Sequence, residues 1–135
     1  MQFIALIYND PTLLDALPAG KADSMLRTCF EHADEMRRQG RLTESRMLAE
    51  AGTAKSLRIR NGKMTAFDGP YAEAKEVLGG FNIIEADNID EALEIAAKFP
   101  WATTGCVEVR PIQDMNTVRI SVGAPPLPEE AAAAA

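Results

Sequence analysis

The chain predicts an α+β domain in which two helices lie on one side of a four-stranded sheet, with a β-hairpin inserted between the second and third strands. Three observations carry this. An opening strand is apolar on both faces, two helical stretches each show a single apolar stripe, and Asn61-Gly62 stands between two extended runs.

Residues 2–9 put Phe3, Ala5 and Ile7 on one side and Ile4, Leu6 and Tyr8 on the other, the pattern of a central strand buried on both faces. Asp10-Pro11 and Pro18-Ala19-Gly20 are loop signals around a short helical turn at residues 13–16. From about residue 21 to 39, Leu26, Cys29, Phe30, Ala33 and Met36 recur at steps of three and four, and Gly40 stands where a left-handed C-cap belongs. That is the first main helix. Extended character resumes over 41–49. Residues 53–60 and 63–67 then flank Asn61-Gly62, a hairpin signal because both turn positions need positive φ.

Residues 68–76 read as a loop with room for one helical turn from Ala72, and Phe81 opens an apolar strand over 81–86. The second main helix carries Ile89, Ala92, Leu93, Ala96 and Ala97 on one stripe, with Asn88 and Glu91 spaced as the N-cap and N3 of a capping box, and Pro100 ends it. A last strand over 106–112 sets Cys106, Glu108 and Arg110 against Val107 and Val109. We assign residues 1–122 to one domain. Residues 123–135, Pro-rich and then Ala-rich, form an appendage with too few apolar residues to pack by themselves.

With the hairpin set aside, the order β-α-β-β-α-β is the ferredoxin-like split βαβ pattern. Both helices can cover the same face of the sheet. The opposite face is then a large apolar patch that needs a cover. A second copy is the economical one, which predicts a twofold homodimer with the hairpin reaching across the interface.

The length of 135 residues suits one domain with a real core. No apolar run approaches the roughly 20 residues of a membrane helix, and the start lacks the basic region and long apolar run of a signal peptide. The cytoplasm is the expected compartment and no membrane partner is expected. Cys29 and Cys106 lie far apart without zinc or disulfide spacing, so both are expected as buried thiols. A net charge of -6 and a pI near 4.8 repel a phosphate backbone, which argues against direct nucleic-acid binding. One histidine and these spacings assemble no Ser-His-Asp arrangement, phosphate loop or metal cluster, which disfavours nucleophilic hydrolysis and metal catalysis; no cofactor is expected.

The stretch Asp68-Gly69-Pro70-Tyr71-Ala72-Glu73-Ala74-Lys75-Glu76 is followed by Leu78-Gly79-Gly80-Phe81 and Ile84-Glu85-Ala86-Asp87. Together with Phe3-Ile4-Ala5-Leu6-Ile7-Tyr8 and Val107-Glu108-Val109-Arg110-Pro111-Ile112, it resembles the DGPF proteins of the YCII-related family over residues 2–112. Tyr71 stands where that family's tetrad has phenylalanine. The resemblance implies a dimeric α/β-barrel assembly of ferredoxin-like subunits. It also implies a histidine on the first helix and an aspartate after the second, but these positions fall near Cys29 and at Lys98-Phe99, so neither side chain is present in register. The family's frequent setting beside extracytoplasmic-function (ECF) sigma factors hints at regulation.

Each candidate site residue has a functional and a structural reading. Asp68 can cap the Gly69-Pro70 turn, or it can join Glu73, Lys75 and Glu76 in a charged ligand-contacting loop. Lys75 can bind an anion or pair with Glu73 or Glu76. His32, the only histidine, is an acid/base candidate or a partly covered structural residue. Tyr8 and Tyr71 can line a cleft, which Trp101 can cover, or anchor an interface. Gly79-Gly80 can admit a ligand or mark a bulge. The expectation is a small-molecule-binding or processing protein whose dimer forms a cleft lined by Tyr8, His32, Asp68, Tyr71 and Glu73, with Lys75 beside it and His32 or Asp68 as the catalytic candidates. The alternative is a non-catalytic regulatory or scaffolding module linked to an ECF sigma factor.

Overall fold

The computed structural model of the chain describes residues 1–128. β1 (Gln2–Asn9) runs into a short helix α1 (Pro11–Asp15) and the long α2 (Lys21–Arg38). β2 (Leu42–Met47) leads through a 3-10 turn (Ala51–Thr53) to β3 (Lys55–Arg60) and β4 (Lys63–Asp68). β5 (Val77–Glu85), α3 (Ile89–Ala97), a second 3-10 turn (Pro100–Thr103), β6 (Gly105–Pro111) and α4 (Met115–Ser121) follow. Four strands pair antiparallel in the order β2-β5-β1-β6, and β3-β4 form a separate two-stranded sheet. This is the ferredoxin-like α+β arrangement with an inserted hairpin.

The opening strand is central, as its two-sided pattern requires. Phe3, Ala5 and Ile7 turn to the helices and are buried, while Ile4, Leu6 and Tyr8 on the other side are half-buried. The core gathers Phe3, Leu42 and Ile84 from the sheet, Ala33 and Met36 from α2, Ala92 and Ile95 from α3, and Phe99. Complete burial of a side chain such as Phe3 or Ile84 contributes about 1.5–3 kcal/mol. Arg41, just before β2, pairs with Glu91 in the first turn of α3 and ties the start of β2 to that helix. The Asn61-Gly62 turn has both residues at positive φ, 53° and 73°, the geometry that two-residue hairpins select.

Several local expectations are corrected. Neither cysteine is fully buried: Cys29 is half-buried and Cys106, on the open face of β6, is exposed. α1 starts at Pro11 because Asp10 caps it, accepting from Thr12 N at 2.9 Å, with Pro11 preset for the first helical position. Phe30 does not join the core but is exposed beside a cavity, and in α3 it is Ile95, not Leu93, that packs inward. Asn88 caps α3 as expected, through Glu91 N at 2.9 Å, but the Glu91 carboxylate goes to Arg41 and leaves the capping box half made. No helix forms at Ala72. Gly69 takes φ 94° and its N–H donates to Ala54 O at 2.7 Å, so the chain bends there instead. α4 was unforeseen; Asp114 caps it by accepting from Asn116 N at 3.0 Å, and Asn116 in turn holds the Leu127 backbone. Of the appendage expected over 123–135, residues 129–135 lie outside the described residues. Among the described residues, no helix is long and apolar enough to cross a membrane.

Candidate functional site

A cavity of about 570 Å³ opens where β1 ends and β5 begins, on the helix side of the sheet. Its floor follows from strand alternation. Ile7 and Asn9 of β1 lie beside Gly80 and Asn82 of β5, with Ser45 and Met47 of β2 beyond. α1 supplies Leu14, α2 supplies Phe30, the turn after α3 supplies Trp101, and Leu48 and Ala51 close the far wall. The lining is mainly apolar, with a few polar side chains converging on it, the usual composition of a small-molecule site.

The polar groups on the floor are neutral, and only some of them are held by hydrogen bonds. Asn82 is buried, and its Oδ1 accepts from Ser45 Oγ at 2.6 Å. Asn9 Oδ1 is buried without any hydrogen-bond partner among the described residues. The space for Asn9 comes from a β-bulge. Ile7 pairs with Gly80 and Tyr8 with Leu78, so Gly79 is the extra residue, and a Cβ on Gly79 would lie 2.6 Å from Asn9 Nδ2. Gly80 is constrained differently, since a Cβ there would meet the Arg46 carbonyl oxygen at 2.6 Å. Both glycines border the cavity, but only at Gly80 would the added carbon meet backbone at that distance. Gly79→Ala is expected to displace the flexible Asn9 amide while changing stability by no more than about 1 kcal/mol, measurable by urea unfolding beside a shift of the Asn9 side-chain amide resonances.

Next to the cavity mouth, Asp10 is only 2% exposed, yet it is fully engaged. Its N–H donates to Thr104 O at 2.9 Å, one carboxylate oxygen caps α1, and the other meets Lys75 Nζ at 3.4 Å. Lys75 therefore pairs with neither Glu73 nor Glu76; it fastens the 69–76 loop to the end of β1. A buried carboxylate left without its cation is costly, moderated here because Lys75 itself is largely solvated. Lys75→Met is expected to destabilise the fold by about 1–2 kcal/mol, and a double-mutant cycle with Asp10→Asn should show coupling between the two. Additivity would mean that the contact contributes nothing.

The other residues singled out from sequence are not brought together within one chain. Tyr8 lies on the open face of the sheet, opposite Leu78 and Cys106, whereas His32 lies in the helix layer on the far side. The His32 ring meets Phe99 edge-on at 4.7 Å, and its Nε2 is buried without a partner among the described residues. Asp68 pairs with Lys55 Nζ at 2.7 Å at the exposed base of the hairpin, and Tyr71 is exposed with the Arg58 guanidinium 5.7 Å from its ring centre. Glu73 and Glu76 are exposed. None of Tyr8, His32, Asp68, Tyr71, Glu73 and Lys75 lines the cavity. Of the residues noted from sequence, Trp101 and the glycine pair do. Asn9, Ser45 and Asn82 went unnoticed, although Asn82 is a polar residue at an inward position of an otherwise apolar strand, a signal that alternation exposes.

Near the two positions where the family resemblance implies a histidine and an aspartate, α2 and the segment after α3 do pack on each other. Trp101 Nε1 donates to Cys29 Sγ at 3.4 Å, and burial pushes the Cys29 thiol pKa up, which keeps it protonated and unreactive. His32 is shifted the other way. Burial, then the Lys98 ammonium, lowers its pKa below the usual 6.5, against a weaker opposing contact to the Ile95 backbone. The neutral ring is favoured in the fold, so the unfolded chain binds the proton more readily. Stability is then complete above about pH 6.5 and falls as pH drops from there through the lower folded value. Urea midpoints should decline from pH 8 to pH 5.5 in the native protein and decline less in His32→Leu. An identical decline in both would remove His32 as the cause.

A family model described as the YCII-related domain matches residues 1–116. An uncharacterized protein of Rhizobium meliloti is 32% identical over 114 residues, covering 83% of this chain and 92% of its own. Among solved structures, the chain is similar to the 5-chloro-2-hydroxyhydroquinone dehydrochlorinase of Burkholderia phenoliruptrix in complex with 2,5-dihydroxybenzoquinone. That similarity is 16% in identity, with a TM-score of 0.45, over 84% of this chain and 94% of that one.

Proposed function

This chain belongs to the YCII-related family, and from that premise we propose that it is a homodimer whose subunits each bind or process a small molecule in the cavity between the sheet, α1, α2 and Trp101. The observation that carries the reading is the cavity itself: about 570 Å³, mainly apolar, with buried polar side chains on its floor. Sites of this size and composition accommodate drug-sized molecules. No histidine is among the lining residues, and the carboxylates there, Asp15 and Glu50, are exposed at the rim. Binding is therefore the primary role, and proton transfer by a rim carboxylate is the chemistry this lining supports.

Homodimer formation is supported by two unpartnered surfaces on the same chain. The open face of the sheet presents Ile4, Leu6, Phe81 and Ile83, and the hairpin carries Leu57, Ile59 and Met64, which are 62%, 59% and 62% exposed. A two-stranded hairpin is marginal alone, and an apolar face needs a cover. The hairpin also bears Lys55, Arg58, Arg60 and Lys63 against Asp68, a net +3. With -6 overall, the remaining residues carry -9, so a second copy offers both apolar surface and opposite charge. The reading places the protein in the cytoplasm, in keeping with two unpaired cysteines.

Trp101 is the sole tryptophan and borders the cavity, so its fluorescence reports occupancy directly. Titration with a library of uncharged fragments is expected to shift or quench that emission, and amide resonances of Ile7, Gly80 and Asn82 should move with it. Ligands that perturb only the hairpin or the open face, leaving Trp101 and these amides unchanged, would displace the site from this cavity.

A further inference from the structure

The arrangement of polar groups along the cavity floor narrows the ligand, on the reading that this cavity is the binding site. Asn82 pairs across the strands with Ala5, and Asn9 stands four residues further along β1. At the rise of an extended strand, about 3.4 Å per residue, the two amides sit at levels about 13 Å apart. Between them the floor is Ile7 and Gly80, with no polar side chain. One end offers the amide NH2 of Asn9, which makes no hydrogen bond to a described residue and, unlike the sealed Oδ1, is not fully buried. The other offers the Ser45–Asn82 pair, in which Asn82 Oδ1 is already taken by the hydroxyl. The amide NH2 of Asn82 makes no hydrogen bond to a described residue and is left as a donor.

Charge is confined to the rim. Asp15, Arg46 and Glu50 are exposed, and Arg46 already pairs with Glu44 at 2.7 Å. An ion drawn onto the floor would lose its hydration and meet only neutral amides, a hydroxyl and hydrocarbon. A neutral oxygen, by contrast, gives up far less hydration and can be met by an amide N–H at either end.

We propose that the cavity takes an elongated, uncharged molecule with an apolar middle and a hydrogen-bond acceptor at each end, one for the amide NH2 of Asn9 and one for that of Asn82. Phe30 and Trp101 flank the apolar part from the helix side. Selectivity then comes from the spacing of the two ends as much as from the lining, because a molecule polar at one end only leaves one of the two amides unmatched.

A matched set of eight-carbon probes tests this with Trp101 fluorescence and amide chemical shifts as readouts. These are octanediol with terminal hydroxyls, octanol, and the dicarboxylate suberate. The diol is expected to bind most tightly, octanol about five-fold more weakly, as the loss of one hydrogen bond of about 1 kcal/mol predicts, and suberate weakest. Asn9→Leu and Asn82→Leu should each erase the diol's advantage over octanol. The probe series on the native protein stands without the variants, should either fail to fold. Octanol equal to the diol, or suberate tighter than both, overturns the two-ended ligand and leaves the cavity as a site. Failure of all three to perturb Trp101 overturns the cavity reading as well.

Discussion

Replacing Gly105 with alanine is expected to cost about 3 kcal/mol, at the upper end of what overpacking does, and to lower the yield of folded protein sharply. Gly105 starts β6 opposite Asn9, where β1 and β6 come together. A Cβ there would overlap the Tyr8 carbonyl oxygen and lie 2.8 Å from its carbon and 3.0 Å from Asn9 Cα. These are backbone atoms and cannot swing away as a side-chain tip can. The adjacent hydrogen bond from Asp10 N to Thr104 O, and with it the capped start of α1, would have to shift. Gly52→Ala is the control, since nothing lies within 4 Å of a Cβ at that position. Equal urea midpoints for the two variants would show that the strand pair tolerates the added carbon.

The double substitution Leu57→Asp with Ile59→Asp is expected to convert the proposed dimer to a monomer while leaving the fold of each subunit intact. Full burial of two such side chains contributes about 1.5–3 kcal/mol each, so their loss should weaken association by about a thousand-fold or more. The two carboxylates also reduce the hairpin from +3 to +1, removing charge attraction to an acidic body. Both positions lie outside the core cluster, so circular dichroism and the thermal midpoint at low concentration should hold. Sedimentation at micromolar concentration decides the matter. A native protein that sediments as a monomer, or a variant that remains dimeric, removes the proposed assembly.

The fold was legible because its signals are local and redundant. The two-sided apolar pattern of residues 2–9 marks a central strand whatever its neighbours are, Asn61-Gly62 specifies a turn by its φ requirements, and Asn88 caps a helix within four residues of itself. Errors arose where a local rule competed with a distant partner. Glu91 is spaced to close a capping box but meets Arg41 from fifty residues earlier, and Lys75 has two acidic neighbours yet finds Asp10 at the end of β1. Phe30 fits the apolar stripe of α2 by periodicity, but no side chain from the sheet fills the space in front of it, and it borders a cavity instead.

The candidate site was hardly legible at all, and the reason is geometric. Residues that carry obvious chemistry, His32 and Asp68 among them, drew attention by type, whereas the cavity is built from glycines, amides and hydrocarbon whose roles depend on register. Gly79 matters because the bulge falls on it, and Asn9 because that bulge makes room for its amide. A shift of one residue in the β1–β5 pairing would turn both away.

By itself, the order and periodicity of the residues determined the α+β class, the four-stranded sheet with helices on one face, the inserted hairpin and the family, because each rests on short-range patterns that survive in any context. Only the tertiary structure decided where a ligand can sit, which carboxylate Lys75 meets and which polar atoms lack partners, because cavities and ion pairs depend on the distances between segments that are remote in the chain.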